Sequence, residues 1–373
     1  MHALPDVDEW IATRDPGFMV STLSLSPFAT ANDSFDGGRG YLAACTAGLP
    51  TRATRAAVIA DVEAASRGMI DISAYSAAVE RSRRLFARLV GTSGDRVAIG
   101  SQVSVLSALI ATAVPDGGEV LVPECDFSSI VMPFVQAGRG IRVRTVPLHA
   151  LAEAIGPQTS LVAFSLVQSA TGEIADAAAI VAAAGRHGAR TFCDATQAVG
   201  WLPVEASRFD ALACHAYKWL CAPRGVAFLA IGEELQSSII PRFAGWYAGA
   251  DPWVSCYGGE FGLASDARRF DVSPAWQAFV GAEAALEHFA SLDADAVLAH
   301  TTGLATRFRQ RMSLGMPDRP SAIVTWADPE GTDLARLGAA GVTASGRSGR
   351  ARVAFHVFND GDDVDLAVSA LGR

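Results

Sequence analysis

The chain has little charge, few cysteines and no long apolar run, and each shortage removes a class of function. Only 18% of its 373 residues are charged, and the net charge is −9. Binding a phosphate backbone needs a clustered basic surface, so nucleic acid is excluded as a partner. Arg81, Arg83 and Arg84 lie together but read as the polar face of a helix. Pro115, Arg139 and Gly185 interrupt the longest apolar stretches, leaving nothing of membrane-spanning length. The N-terminus, Met1-His-Ala-Leu-Pro-Asp-Val-Asp-Glu, lacks the basic and apolar regions of a signal peptide. Cys45, Cys125, Cys193, Cys214, Cys221 and Cys256 show no zinc spacing and sit mostly among apolar residues. They read as reduced thiols. The expectation is a soluble, cytoplasmic protein without a metal.

What is present is core. Half of the residues are hydrophobic, and the length suggests one large domain plus a smaller one. Apolar runs at 97–100, 119–123, 141–147, 161–166, 190–193 and 225–230 read as strands. Helical patterns cover 51–66, 74–90, 103–114, 126–137 and 176–187. Strands separated by helices predict an α/β protein with a mostly parallel sheet covered on both faces. The stretch 242–262 is rich in Gly and aromatics and too broken for regular structure. Helices at 275–290 and 293–312 precede strands at 322–325 and 352–358, the makings of a small antiparallel sheet. The expected division is an N-terminal segment 1–50, a large domain 51–274 and a small α+β domain 275–373.

Asp194 ends an apolar run, and Lys218 follows 24 residues later between Tyr217, Trp219 and Leu220. An amine in that setting is poorly solvated when charged, which lowers its pKa and makes it nucleophilic toward carbonyls. Pyridoxal phosphate (PLP) needs such a Schiff-base lysine, and an acid to keep its ring nitrogen protonated. On an Asp and a Lys alone, the plainer reading is a strand-end acid and a lysine that reaches to water.

The wording around them decides otherwise. Phe192-Cys-Asp194-Ala-Thr-Gln197-Ala-Val-Gly200 and His215-Ala-Tyr217-Lys218-Trp-Leu-Cys-Ala-Pro223-Arg-Gly225 resemble the signature of the class V, fold-type I PLP enzymes. That group includes cysteine desulfurases, kynureninases, isopenicillin-epimerase-like proteins and carbon–sulfur lyases. The likeness runs from about residue 41 to 359 and implies a large domain with a seven-stranded type of sheet. It also implies PLP as cofactor, an amino acid as substrate and a homodimer with shared active sites.

By that resemblance Lys218 carries the cofactor and Asp194 pairs with its ring nitrogen. Ser101 and Gln102, between a strand and a helix, would cup the phosphate, with His215 and Tyr217 as further donors. Phe127 would stack on the ring where the family often has a histidine, so no proton-shuttling nitrogen stands there. Gln168 would bond the phenolic oxygen, and Gln197 the same oxygen or the Schiff base from the other side. Ser273, in Phe270-Asp-Val-Ser273-Pro274, would reach the neighbouring subunit's phosphate. Arg352, in Arg352-Val-Ala-Phe-His356-Val-Phe-Asn359, would clamp the substrate carboxylate, with Arg347 and Arg350 as alternatives. The segment from Tyr41 to Pro50 would line the same pocket, with Cys45 as packing.

Desulfurases of this class use a mobile cysteine upstream of the carboxylate arginine. No cysteine follows Cys256, so persulfide chemistry at that place is excluded. The favoured reaction is carbon–sulfur cleavage of a cysteine S-conjugate by β-elimination. Transamination, epimerisation or decarboxylating deamination of a bulky amino acid are the alternatives. A catalytically silent binding subunit is the reading of another class. Trp246, Tyr247, Trp253 and Tyr257 fit a pocket wall and a dimer interface equally.

Overall fold

A computed structural model describes residues 34–373. The first part of the expected segment 1–50 therefore lies outside the described residues. Seven strands form the main sheet: β1 (Val97–Gly100), β2 (Glu119–Pro123), β3 (Arg142–Val146), β4 (Thr159–Ser165), β5 (Arg190–Asp194), β6 (Ala211–His215) and β7 (Ala227–Ile231). Their spatial order is β1-β7-β6-β5-β4-β2-β3, and only β7 runs antiparallel to its neighbours.

Helices cover both faces, so the central strands are buried throughout and read as continuous apolar runs. The exception is β3 at the edge, where Arg142 and Arg144 discourage further pairing. Strand β6 was not anticipated. Ala-Leu-Ala-Cys-His contains no β-branched residue, and burial on both faces removes any alternation.

Helix Trp276–Ala290, where the second domain was expected to begin, packs against helices Arg52–Ser66 and Ile72–Leu89. Phe279 meets Phe228 of β7 edge-on, and Phe86 stacks on Phe228 with centroids 4.4 Å apart. Gly281 permits this approach, since a Cβ there would stand 2.6 Å from the Pro223 ring.

A separate apolar cluster surrounds a three-stranded antiparallel sheet of β8 (Ile323–Ala327), β9 (Ser345–Arg347) and β10 (Arg350–Ala354). Phe308 of helix Ala294–Arg311 and Val364 of helix Gly361–Ala370 pack into it. Tyr41 and Ala43 pair with Thr343 and Ala354, so the N-terminal segment joins this sheet. Among the described residues no helix is long and apolar enough to cross a membrane.

The arginine cluster needs correction. Positions two apart on a helix face different directions: Arg81 pairs with Glu283, whereas Arg83 reaches back to Glu80 on its own helix and inward to a buried partner. Arg83 points inward and is 1% exposed. It donates to Asp271 at 2.7 Å and to the Val97 carbonyl, and Asp271 also accepts the Ile99 N–H at 2.8 Å. This ties the segment before Ser273 to β1. Arg83→Ala would leave a buried carboxylate without its charge partner. Urea unfolding should register a loss of about 3–5 kcal/mol. A loss below about 1 kcal/mol would mean that the tie carries little stability.

Candidate active site

Parallel strands bring the ends of β4, β5 and β6 to one edge of the sheet, the place where open α/β folds hold ligands. Asp194 closes β5 and is buried, its Oδ1 accepting the Thr196 N–H at 2.9 Å. His215 closes β6, and the chain then turns through Tyr217 and Lys218.

That turn is held from several sides. The Gly48 N–H donates to the Tyr217 carbonyl at 2.9 Å, and His356 Nε2 lies 3.0 Å from the Trp219 carbonyl. The Trp219 indole N–H donates to Gln197 Oε1 at 2.8 Å. At position 48 a Cβ would lie 2.0 Å from the Lys218 carbonyl, so glycine alone fits.

Lys218 is 5% exposed and is the only lysine in the chain. Burial pushes its amine down to about 8, against the pull of Asp194 and with help from Arg352. The nearby faces of Phe127 and Tyr217, 5.1 and 5.8 Å from Nζ, favour the charged form but do not outweigh desolvation. Burial also raises Asp194, with Thr196 and Lys218 acting against it.

Acetic anhydride is attacked only by neutral amines and does not itself titrate, and the neutral fraction of a group lowered to about 8 grows as pH rises through that value. Acetylation of Lys218 by acetic anhydride, normalised to an added amine of known pKa and followed by peptide mass, should reach half its limiting rate near pH 8. A midpoint above about 10, as for a solvated lysine, would contradict the desolvated site.

Lys218, Asp194, Gln197, His215, Tyr217, Phe127 and Gln102 line one cavity of about 120 Å³. A larger cleft of about 710 Å³ near Arg309 and Arg319 contains none of the residues singled out from the sequence. Gln102 caps helix Val103–Ile110 without a side-chain bond, and both it and Val103 face the cavity. Ser101 adjoins it, exposed.

His215 is pushed down to about 4, first by burial and then by Arg224 and Lys218, and its Nε2 is buried without a partner. Gln168 is buried just beyond β4, within the same sheet edge. Trp246 packs on Trp253 and Trp276, and among the described residues these rings do not line the cavity. Ser273 also lies outside it, exposed.

Arg352 on β10 is 1% exposed. Its Nη1 donates to the Ser169 carbonyl and to Ser169 Oγ at 3.0 Å, Nη2 to Thr46 Oγ1 at 2.9 Å, and Nε to Ser345 Oγ at 3.0 Å. Among the described residues it meets no carboxylate. Arg350 is bound to Thr325, and Arg347 is exposed.

Sequence reasoning missed five polar residues here. Ser129, Ser165, Ser169 and Thr196 line the cavity, as does Arg224, whose guanidinium lies 4.4 Å over the Tyr217 ring. Each adjoins a quoted motif, but hydroxyls in loops carry no distinctive pattern. One signal was in plain view: 29 of the 30 basic residues are arginine, which isolates Lys218.

The class-V aminotransferase family model matches residues 43–318. An uncharacterized aminotransferase of Bacillus subtilis is 30% identical over 56% of this chain, and the match spans 57% of that protein. Isopenicillin N epimerase of Streptomyces clavuligerus is 28% identical over 69% of this chain and 72% of its own length. A cystine C–S lyase, solved with its product cysteine persulfide, superposes with a TM-score of 0.81 at 21% identity. That superposition covers 90% of this chain and 98% of the lyase. The chain belongs to the class-V aminotransferases and is a PLP-dependent enzyme of fold type I.

Proposed function

We propose that the protein cleaves the carbon–sulfur bond of a cysteine S-conjugate by β-elimination, with Lys218 as cofactor-binding residue and base. The observation that carries this is the buried lysine, its amine brought down to about 8, sharing a cavity with buried Asp194.

The donor set fits PLP. The start of helix Val103–Ile110, His215 Nε2, which has no partner, and Arg224 bring donors and positive charge to the cavity, which suits a phosphate. Asp194 is a buried carboxylate suited to a protonated ring nitrogen. Ser101, Gln102, His215 and Tyr217 would hold the phosphate, with Ser273 supplied by a second copy in a homodimer. Phe127 would cover the ring face, and Gln168 would bond its phenolic oxygen.

When bound, PLP withdraws electrons from the substrate's Cα and makes the proton there removable. The neutral Lys218 amine takes that proton, and the Cβ–S bond breaks with the sulfur leaving on the bonding pair. Arg352 supplies the fixed positive charge for the substrate carboxylate. His215, the one imidazole that lines the cavity among the described residues, is pushed down to about 4 by burial first, which favours one-base chemistry over a two-base exchange. Similarity to a C–S lyase fold supports the choice of leaving group.

A panel of amino acids and cysteine S-conjugates tests this, with pyruvate, ammonia and keto acid scored separately. Equal pyruvate and ammonia from an S-conjugate is the expected result. Keto acid without ammonia would make the protein an aminotransferase, and loss of optical activity alone would make it an epimerase. PLP uptake without any product would leave a silent binding subunit.

A further inference from the structure

We propose that Asp126 is a positioning residue: it holds the Phe127 ring over the cofactor's place by tying the start of helix Ser128–Val135 to the end of β4. This rests on the reading of Phe127 as the cover of the PLP ring.

Phe127 needs such a tie. Its ring lines the Lys218 cavity and stands 5.1 Å from Nζ, yet the residue is 43% exposed, so core packing does not fix it. It precedes the first turn of helix Ser128–Val135 and gives that end no side-chain cap. Two residues earlier the backbone turns sharply at Cys125, whose φ of 59° lies in the left-handed region. A residue with a Cβ holds that conformation only where its surroundings enforce it.

Asp126, between the two, supplies the enforcement. Its Oδ1 accepts the Phe127 N–H at 2.6 Å and the Ser165 hydroxyl at 2.5 Å, and its Oδ2 accepts the Ser165 N–H at 2.8 Å. Backbone N–H groups only donate, so both carboxylate oxygens act as acceptors. Hydrogen bonds to a carboxylate are short and roughly twice as strong as neutral ones. One of the three fixes the backbone of Phe127, and the other two fix the carboxylate to β4. The ring therefore rises from a rigid footing.

That footing is placed for chemistry. Ser165 pairs in register with Asp194 on β5. The acid for the ring nitrogen and the residue over the ring face are thus set by the same strand end. Phe127 and Ser165 both line the cavity, whereas Asp126 does not. A carboxylate whose short bonds all end on cavity residues, while it stays out of the cavity itself, orients the site without touching the ligand.

Equilibrium titration of the unloaded protein with PLP tests this, with the visible circular dichroism of bound PLP as a second readout of how the ring is held. Phe127→Ala should weaken PLP binding about tenfold, the worth of an aromatic contact to the ring, and reduce the dichroic band. Asp126→Ala should do the same, although it removes no atom from the cavity wall. The double variant should bind PLP no more weakly than Phe127→Ala alone, since the carboxylate acts through the ring. Ser165→Ala keeps the Ser165 N–H bond and guards against a misfolded Asp126→Ala. It should give a smaller loss that also vanishes in the Phe127→Ala background.

Losses that multiply, leaving the double variant about tenfold weaker than Phe127→Ala, would overturn the proposal. Unchanged PLP binding and dichroism in Asp126→Ala would do so too. Unchanged PLP binding in Phe127→Ala would instead remove the ring cover, and with it the reading on which the proposal rests.

Discussion

Lys218→Ala is expected to abolish turnover while leaving the fold intact. Loss of proton transfer alone accounts for a fall of about 10²–10⁴-fold. The chain has no second lysine to substitute for it. Stability should not suffer, because the wild-type residue bears the desolvation of a buried amine. Initial rates at saturating PLP, read beside a urea unfolding curve, check both halves. Turnover within tenfold of wild type would remove Lys218 from the chemistry. Partial recovery on adding methylamine would strengthen its role as the base.

Arg352→Ala is expected to raise the Michaelis constant for an amino-acid substrate strongly, with PLP still bound. Losing a charge pair in a desolvated place costs on the order of 2–5 kcal/mol, a factor of about 30 to several thousand. The magnitude depends on rigidity, and here Ser169, Thr46 and Ser345 hold the guanidinium on a strand whose other face, with Ala351 and Val353, is buried. An unchanged Michaelis constant would move the clamp to exposed Arg347, since Arg350 is engaged by Thr325. The split matters: a fall in maximal rate with no change in Michaelis constant would mean that Arg352 acts on Lys218 through charge alone.

The strands legible in the sequence were those whose apolar runs are bounded by turn residues, such as Val97–Gly100 and Glu119–Pro123, and both match to the residue. Strand Ala211–His215 was not legible, because a short Ala-rich run has neither alternation nor β-branching to distinguish it. Burial of Arg83 depends on Asp271, 188 residues away, and nothing local to the helix signals that partner.

At the site, the apolar flanks of Lys218 foretold its lowered pKa, since desolvation by near neighbours is a local effect. Gln197 was read as a cofactor contact from its motif. Its amide lines the cavity and also meets Cys45, Ser169 and Trp219, contacts that only the tertiary structure reveals. The segment around Tyr41 was read as a wall of the pocket; Thr46 meets Arg352, and no residue of 41–50 lines the cavity around Lys218.

Borohydride reduction of the PLP-loaded protein, followed by peptide mapping, tests the central claim most directly. The account predicts one pyridoxyl group per chain, on the peptide carrying Lys218. A label confined to the N-terminal amine, or no label on a protein that still turns over its substrate, would contradict it.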